Sequence, residues 1–339
     1  MSTTTAGKPL TDHRPLDRSA RVYVAGAHGM VGSAIWRHLV QEGFTDLIGP
    51  NSAALDLRDR GAVFDWFAAT RPQVVILSAA RVGGIKANAS RPAEFLSDNL
   101  RIQVNVMDAA RRQGITRLLF LGSSCIYPKH ATQPIREDAL LTGPLEPTND
   151  AYAIAKIAGI LQVQAVRRQD ALPWISAMPT NLYGPGDNFH PENSHVLPSL
   201  IRRFHQAREA GETLVRNWGT GTPRREFLHV DDLARACLLL LERYDGDMPV
   251  NVGTGTDLTI QEAAALVAEV VDYAGAVAWD TNELDGTPRK LLDTSRIQAL
   301  GWAPQIKLKE GISQTYAWYL EHLASGTWNR LHRPAEGQS

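Results

Sequence analysis

Two cysteines, Cys125 and Cys237, leave no material for a disulfide framework, which fits a reducing cytoplasm. Charge of one sign is equally scarce. Thirty-five Lys and Arg against 36 Asp and Glu leave a net charge of −1, so the whole chain exerts no pull on nucleic acid or an acidic membrane. No stretch approaches the roughly 18–20 apolar residues of a membrane span. Residues 1–20 mix Thr, Pro and charges without an apolar core, and read as a disordered extension rather than a signal peptide or anchor. The polar tail over 329–339 reads as flexible. No internal repeat or low-complexity tract interrupts the chain, and no metal site is expected. What remains is the balance of an ordinary globular protein, 44% hydrophobic and 21% charged over 339 residues. That length suits one large α/β domain with a smaller one attached.

The stretch from Ser123 to Lys156 carries the strongest chemical signal. Arg117-Leu118-Leu119-Phe120-Leu121 is a short apolar run closed by Gly122, the pattern of a buried parallel strand. Ser123 and Cys125 then follow the strand's carboxyl end, where open α/β sheets bind ligands. Tyr152 and Lys156 stand four apart in an Ala/Ile-rich segment and share one helix face. A phenol with a pKa of about 10 is a poor acid-base group at neutral pH. A lysine one turn away favours the phenolate, and a serine hydroxyl can hold a substrate carbonyl between them. Tyr-x-x-x-Lys alone also arises by chance in many helices.

The start of the chain strengthens the reading. Arg21-Val22-Tyr23-Val24-Ala25 is strand-like, Gly26-Ala27-His28-Gly29-Met30-Val31-Gly32 is a glycine-rich turn, and Ser33 to Val40 reads as a helix. Glycines permit a tight turn, and the helix start offers N–H groups and a positive dipole end to a pyrophosphate. Turn and tyrosine-lysine pair together predict a nicotinamide-dependent oxidoreductase or epimerase. The second strand is expected at Asp46-Leu47-Ile48-Gly49. A carboxylate after it grips the ribose of NAD and an arginine takes the phosphate of NADP. Here Gly49-Pro50-Asn51-Ser52 offers neither, and Asp56 is expected to line the adenine pocket or cap the next helix.

Pro92 to Arg112 reads as a long amphipathic helix beside the one bearing Tyr152, and a shared apolar face predicts a homodimer. The runs Arg224 to Asp232 and Asp285 to Lys290 place basic residues in loops of the half that lacks the cofactor pattern, which suits a nucleoside diphosphate on the substrate. The expected division is residues 21–180 for cofactor binding and 181–328 mainly for substrate, with some segments of the latter returning to the first domain.

Taken together, Gly29-Met30-Val31-Gly32, Val82-Gly83-Gly84-Ile85, Gly122-Ser123-Ser124-Cys125-Ile126-Tyr127-Pro128, Tyr152 to Lys156, Asn193-Ser194-His195 and Arg225 to Asp232 resemble the extended short-chain dehydrogenase/reductases. The resemblance spans roughly residues 20–325. Within that family it points to the branch that epimerises C3 and C5 and then reduces C4 of a GDP-4-keto-6-deoxy sugar. It implies a Rossmann-type doubly wound parallel sheet with a smaller C-terminal α/β substrate domain. It implies a reductase triad of Ser123, Tyr152 and Lys156, and an epimerase acid-base pair of Cys125 and His195. NADP would lie against Gly26, His28, Gly29, Met30, Val31 and Gly32, then Ser52, Asp56 and Leu57. Further cofactor contacts would come from Leu121, Gly122, Ser123, Tyr152, Lys156, Pro179, Asn181, Leu182 and His195. Arg203, Trp218, Arg225, Asp285 and Lys290 would hold the GDP-sugar. The family places arginines in the glycine turn and after the second strand; His28 and the Gly-Pro-Asn-Ser turn replace them here, so NAD is also a possible cofactor. The alternatives are a relative acting on another GDP-4-keto-deoxy sugar and an inactive cofactor sensor. Five intact chemical residues argue against the sensor.

Overall fold

Six parallel strands form the centre of the molecule, in the spatial order β2-β1-β3-β4-β5-β10. The computed structural model of the chain describes residues 15–282 and 287–325. In chain order the first half runs β1 (Val22–Ala25), α1 (Met30–Gln41), β2 (Leu47–Ile48), α2 (Arg60–Thr70), β3 (Val74–Leu77) and α3 (Ile85–Ser90). It continues through α4 (Pro92–Arg112), β4 (Arg117–Leu121), α5 (Asp150–Asp170), β5 (Ile175–Pro179) and β6 (Asn181–Tyr183). The second half holds α6 (Val196–Glu209), β7 (Leu214–Trp218), β8 (Arg224–Arg225), β9 (Phe227–His229), α7 (Val230–Arg243) and β10 (Val250–Val252). Last come β11 (Leu258–Thr259), α8 (Ile260–Val271), β12 (Ala276–Asp280), β13 (Arg289–Lys290), α9 (Ser295–Ala299) and α10 (Leu308–Ala324).

Strands β1, β3 and β10 are buried along their whole length, as expected where helices cover both sheet faces. On one face Ile35 and Leu39 of α1 meet Leu233 and Cys237 of α7, and Cys237 is therefore a core residue. On the other, Phe67 of α2, Val106 and Met107 of α4, and Ile160 and Val163 of α5 fill the space. A third cluster joins α6, α8 and α10 around Phe204, Val267 and Tyr319. This is the doubly wound architecture expected from the sequence, with β10 supplied by the second half of the chain. The order of the strands reverses between β1 and β3, and open sheets of this kind take ligands at the strands' carboxyl ends beside such a switch point.

Three expectations need correction. Residues 15–20 are packed rather than part of a disordered extension: Arg18 lies 4.5 Å over the Phe44 ring and Ala20 is buried. Residues 1–14 and 329–339 lie outside the described residues. Asp56 does not cap α2; Asp59 does, accepting from the Ala62 N–H at 3.0 Å, while Asp56 grips Arg58 at 2.8 Å. The basic pairs Arg224-Arg225 and Arg289-Lys290 are not in loops but in paired strands, in a small sheet ordered β11-β8-β13. Among the described residues no helix is long and apolar enough to cross a membrane.

Candidate active site

The glycine turn is shaped by contacts no side chain would tolerate. Gly26 has φ +86°, and a Cβ on Gly32 would lie 2.0 Å from the Gly26 carbonyl oxygen. The turn closes through the Gly29 N–H to the Gly26 carbonyl at 3.0 Å. It delivers Met30, Val31 and Gly32 as the first turn of α1, whose N-cap Gly29 makes no side-chain cap. Backbone donors at such a terminus suit a pyrophosphate, so the residues present fit a dinucleotide. His28 bonds through Nε2 to the Gly49 carbonyl at 3.1 Å and so bridges the glycine turn to the end of β2. Ser52 is exposed in the turn that follows. Leu57 contributes a carbonyl to the Asn105 side chain of α4 at 3.0 Å. Pro179 ends β5, and Asn181 and Leu182 begin β6, with the Asn181 amide bonded to the Glu226 carbonyl at 2.9 Å.

Strand β4 delivers Leu121 and Gly122 to its carboxyl end, and a single 3-10 turn over Ser124–Ile126 follows. That turn folds Cys125 back onto Ser123: the thiol Sγ lies 2.9 Å from the serine Oγ. The Ser123 hydroxyl also acts on Tyr152, favouring the ionised phenol. Lys156 is buried one turn further along α5, and its Nζ donates to the Leu121 carbonyl at 2.7 Å and lies 5.8 Å from the Tyr152 ring centre. The structure thus brings together Ser123, Cys125, Tyr152 and Lys156.

Burial governs the ionisation of this group. Desolvation drives the Lys156 ammonium down to about 8, opposed by negative charge on Cys125. Desolvation and the same thiol push Tyr152 well above the ordinary phenol range, while Ser123 pulls the other way. Desolvation thus outweighs the other influences on the Tyr152 phenol. Tyr152 stays protonated, which is the state a proton donor needs.

His195 is the N-cap of α6 and is exposed. Its imidazole pKa is nevertheless lowered by the surrounding protein, whose bulk displaces water beyond the ring's own surface. The loop before it is fixed by the Gly84 N–H, which donates to the Asn193 carbonyl at 3.3 Å. Among the described residues no hydrogen bond joins His195 to Cys125.

The second half of the chain supplies cations. Arg225 and Lys290 are register partners across β8 and β13, as are Arg224 and Arg289. Asp257 takes up Arg224 and Arg289 together. Lys290 lines one cleft with Cys125, Lys129, Glu146 and Thr287. Burial lowers the pKa of Lys290; negative charge on Cys125 opposes the shift and Arg225 adds to it. Arg203, on α6, donates to Asn217 Oδ1 at 3.0 Å and to the Arg216 carbonyl, next to the half-exposed Trp218. Asp285 lies outside the described residues. The sequence reading attached no role to Lys129 and Glu146, which form an ion pair at 3.0 Å in the cleft. Lys129 lies just past the Cys125 turn in sequence, and that adjacency was the available signal.

The fold, the glycine turn and the serine-tyrosine-lysine group define a class: the chain belongs to the NAD dependent epimerase/dehydratase family, whose model matches residues 22–253. Its relatives narrow the class. GDP-L-fucose synthase 1 of Arabidopsis thaliana is 57% identical over 309 residues, covering 91% of this chain and 96% of that protein. GDP-L-fucose synthase of Escherichia coli is 51% identical over 311 residues, covering 89% of this chain and 97% of that protein. The solved structure of a GDP-L-fucose synthetase from Naegleria fowleri bound to NADP matches with a TM-score of 0.85 at 27% identity, over 92% of this chain and 97% of that one.

Proposed function

We propose that the chain is an NADPH-dependent 3,5-epimerase-4-reductase that converts GDP-4-keto-6-deoxy-D-mannose to GDP-L-fucose. The observation that carries the proposal is the Cys125 thiol 2.9 Å from the Ser123 hydroxyl, which also acts on the Tyr152 phenol. One ketone at C4 explains why both chemistries share it. The ketone acidifies the protons on C3 and C5, so a base and an acid at one site can invert both carbons. Cys125 is assigned as the base and His195 as the acid. Burial lowers the imidazole pKa of His195, so the ring must take up a proton before it can act as the acid. Ser123 donates a hydrogen bond to the C4 oxygen, and Tyr152 gives that oxygen its proton. Lys156 holds a positive charge close to the phenolate that remains. Bound NADPH supplies the hydride.

Gly26, Gly29, Met30, Val31 and Gly32 are assigned to the dinucleotide pyrophosphate. Arg225, Lys290, Arg203 and Trp218 are assigned to the GDP portion of the substrate. We further assign a homodimer through α4 and α5, which expose Val104, Ile154 and Leu161. A monomeric mass in sedimentation would reject that assembly. A cytoplasmic location is assigned with it, supported by two free cysteines, which suit a reducing compartment. The test of function is incubation with GDP-4-keto-6-deoxy-D-mannose and NADPH. Loss of NADPH absorbance should accompany formation of GDP-L-fucose, identified by its proton couplings. Consumption of NADPH with a product of unchanged C3 and C5 configuration would reject the epimerase half.

A further inference from the structure

Glu226 stands between β8 and β9 with no exposed surface. A carboxylate is almost never fully buried unless its oxygens are satisfied. Here the partners are mainly backbone N–H groups. Oε1 accepts from Gly255 at 2.7 Å, with the Thr254 hydroxyl at 3.5 Å, and Oε2 accepts from Leu292 at 3.1 Å. These donors belong to two segments distant in sequence: the turn after β10, and the chain just beyond Lys290 on β13. The fit is close, since a Cβ on Gly253 would lie 2.3 Å from Oε1.

Arg225 immediately precedes Glu226, and Lys290 lies two residues before Leu292. The two cations face each other across β8 and β13, strands of two residues each. So short a pair contributes little order by itself. The carboxylate joins the exits of both strands, and ties them to the edge strand of the main sheet.

We propose that Glu226 is a positioning residue whose buried carboxylate holds Arg225 and Lys290 at the separation that grips the diphosphate of the GDP-sugar. The inference rests on the proposed reading that these two cations bind that diphosphate. A charged acceptor with aligned N–H donors forms the strong class of hydrogen bonds, and a small displacement of two converging cations costs affinity steeply.

The test measures GDP binding by calorimetry and NADPH binding by nicotinamide fluorescence on the full chain. In Glu226→Gln an amide N–H must face the N–H of either Gly255 or Leu292. GDP affinity should fall about tenfold or more, with NADPH affinity held within about twofold. Glu226→Asp keeps both acceptor oxygens and should recover part of the GDP affinity. Gly253→Ala displaces the carboxylate without removing its charge, so it should weaken GDP in the same selective way; it decides the matter if Glu226→Gln does not fold. Unchanged GDP affinity in the substituted proteins overturns the proposal, as does an equal loss of GDP and NADPH binding, which would mark a general structural role. Arg225→Met and Lys290→Met separate the two levels. If neither weakens GDP, the diphosphate reading fails; if both do while Glu226→Gln and Gly253→Ala do not, only the positioning role fails.

Discussion

The Sγ of Cys125 lies 2.9 Å from the Oγ of Ser123, a hydroxyl that also acts on the Tyr152 phenol. The proposed epimerase base and the proposed reductase acid are therefore neighbours of one group and compete for one ketone oxygen's surroundings. Delivery of hydride needs the proton of Tyr152 but not the thiol, so the two reactions should separate by substitution. Cys125→Ser keeps the volume while putting an alcohol, a far weaker acid, in the thiol's place. In deuterated water without NADPH, the unaltered protein should exchange deuterium into C3 and C5 and Cys125→Ser should not. With NADPH the variant should still reduce the un-epimerised ketone, slowly, to a product of altered stereochemistry. Full exchange by Cys125→Ser would assign the thiol to packing alone.

Gly159 on α5 makes a second site where the usual expectation reverses. Replacing a helical glycine by alanine stabilises an open helix by about 1 kcal/mol. Here the new Cβ would lie 2.4 Å from the Phe120 ring and 2.9 Å from Gln103 Oε1. Overpacking of that kind costs about 1–3 kcal/mol, so Gly159→Ala should lower the urea midpoint. It should also cost activity, because the α5 displacement pulls Lys156 away from the Leu121 carbonyl. A raised midpoint would show that Phe120 gives way.

The readable parts of this molecule were those with local signals. The apolar run of β4 and the long amphipathic period of α4 appear in the structure with the bounds expected of them. Tyr152 and Lys156 could be paired because a helix sets their spacing. The cap of α2 was misassigned because Asp56 and Asp59 lie close together with similar neighbours, and only the backbone decides which one meets Ala62. The pairing of Arg225 with Lys290 had no local trace at all. Each strand is too short to show a period of two, and their partnership depends on contacts between remote segments. Glu226 was hidden for a related reason: a charged residue among arginines reads as surface until its N–H partners are seen.

Cofactor choice follows from the end of β2. No carboxylate stands there to repel a 2′-phosphate, and His28 bridges from the glycine turn to the Gly49 carbonyl at 3.1 Å. Arg58, the first arginine after β2, is committed to Asp56 at 2.8 Å and approaches Asp98 at 3.7 Å. Neutral donors from Asn51 and Ser52 bind a phosphate less strongly than an uncommitted guanidinium does. NADPH should therefore be preferred over NADH by a small margin, with NADH appreciably active. The measurement is kcat/KM for each, and a clear NADH preference would refute it.

The last prediction concerns pH. Burial lowers the Lys156 ammonium to about 8, so the charge is present below that pH and lost above it. Tyr152 is displaced in the opposite direction, and its phenol keeps its proton throughout the range in which Lys156 titrates. The kcat/KM profile for NADPH reports groups of the protein before cofactor binds. It should be flat from about pH 7 and fall tenfold per pH unit above about 8 as the ammonium near the Tyr152 ring is lost. The profile is repeated in Cys125→Ser, following reduction alone; the fall must persist, at a lower pH because the thiol charge that opposed the Lys156 shift is gone. Lys156→Arg keeps the charge at all these pH values. It should be slower, because a longer side chain is forced into a buried site, but without the alkaline fall. An unchanged fall in Lys156→Arg would assign the titration to another group.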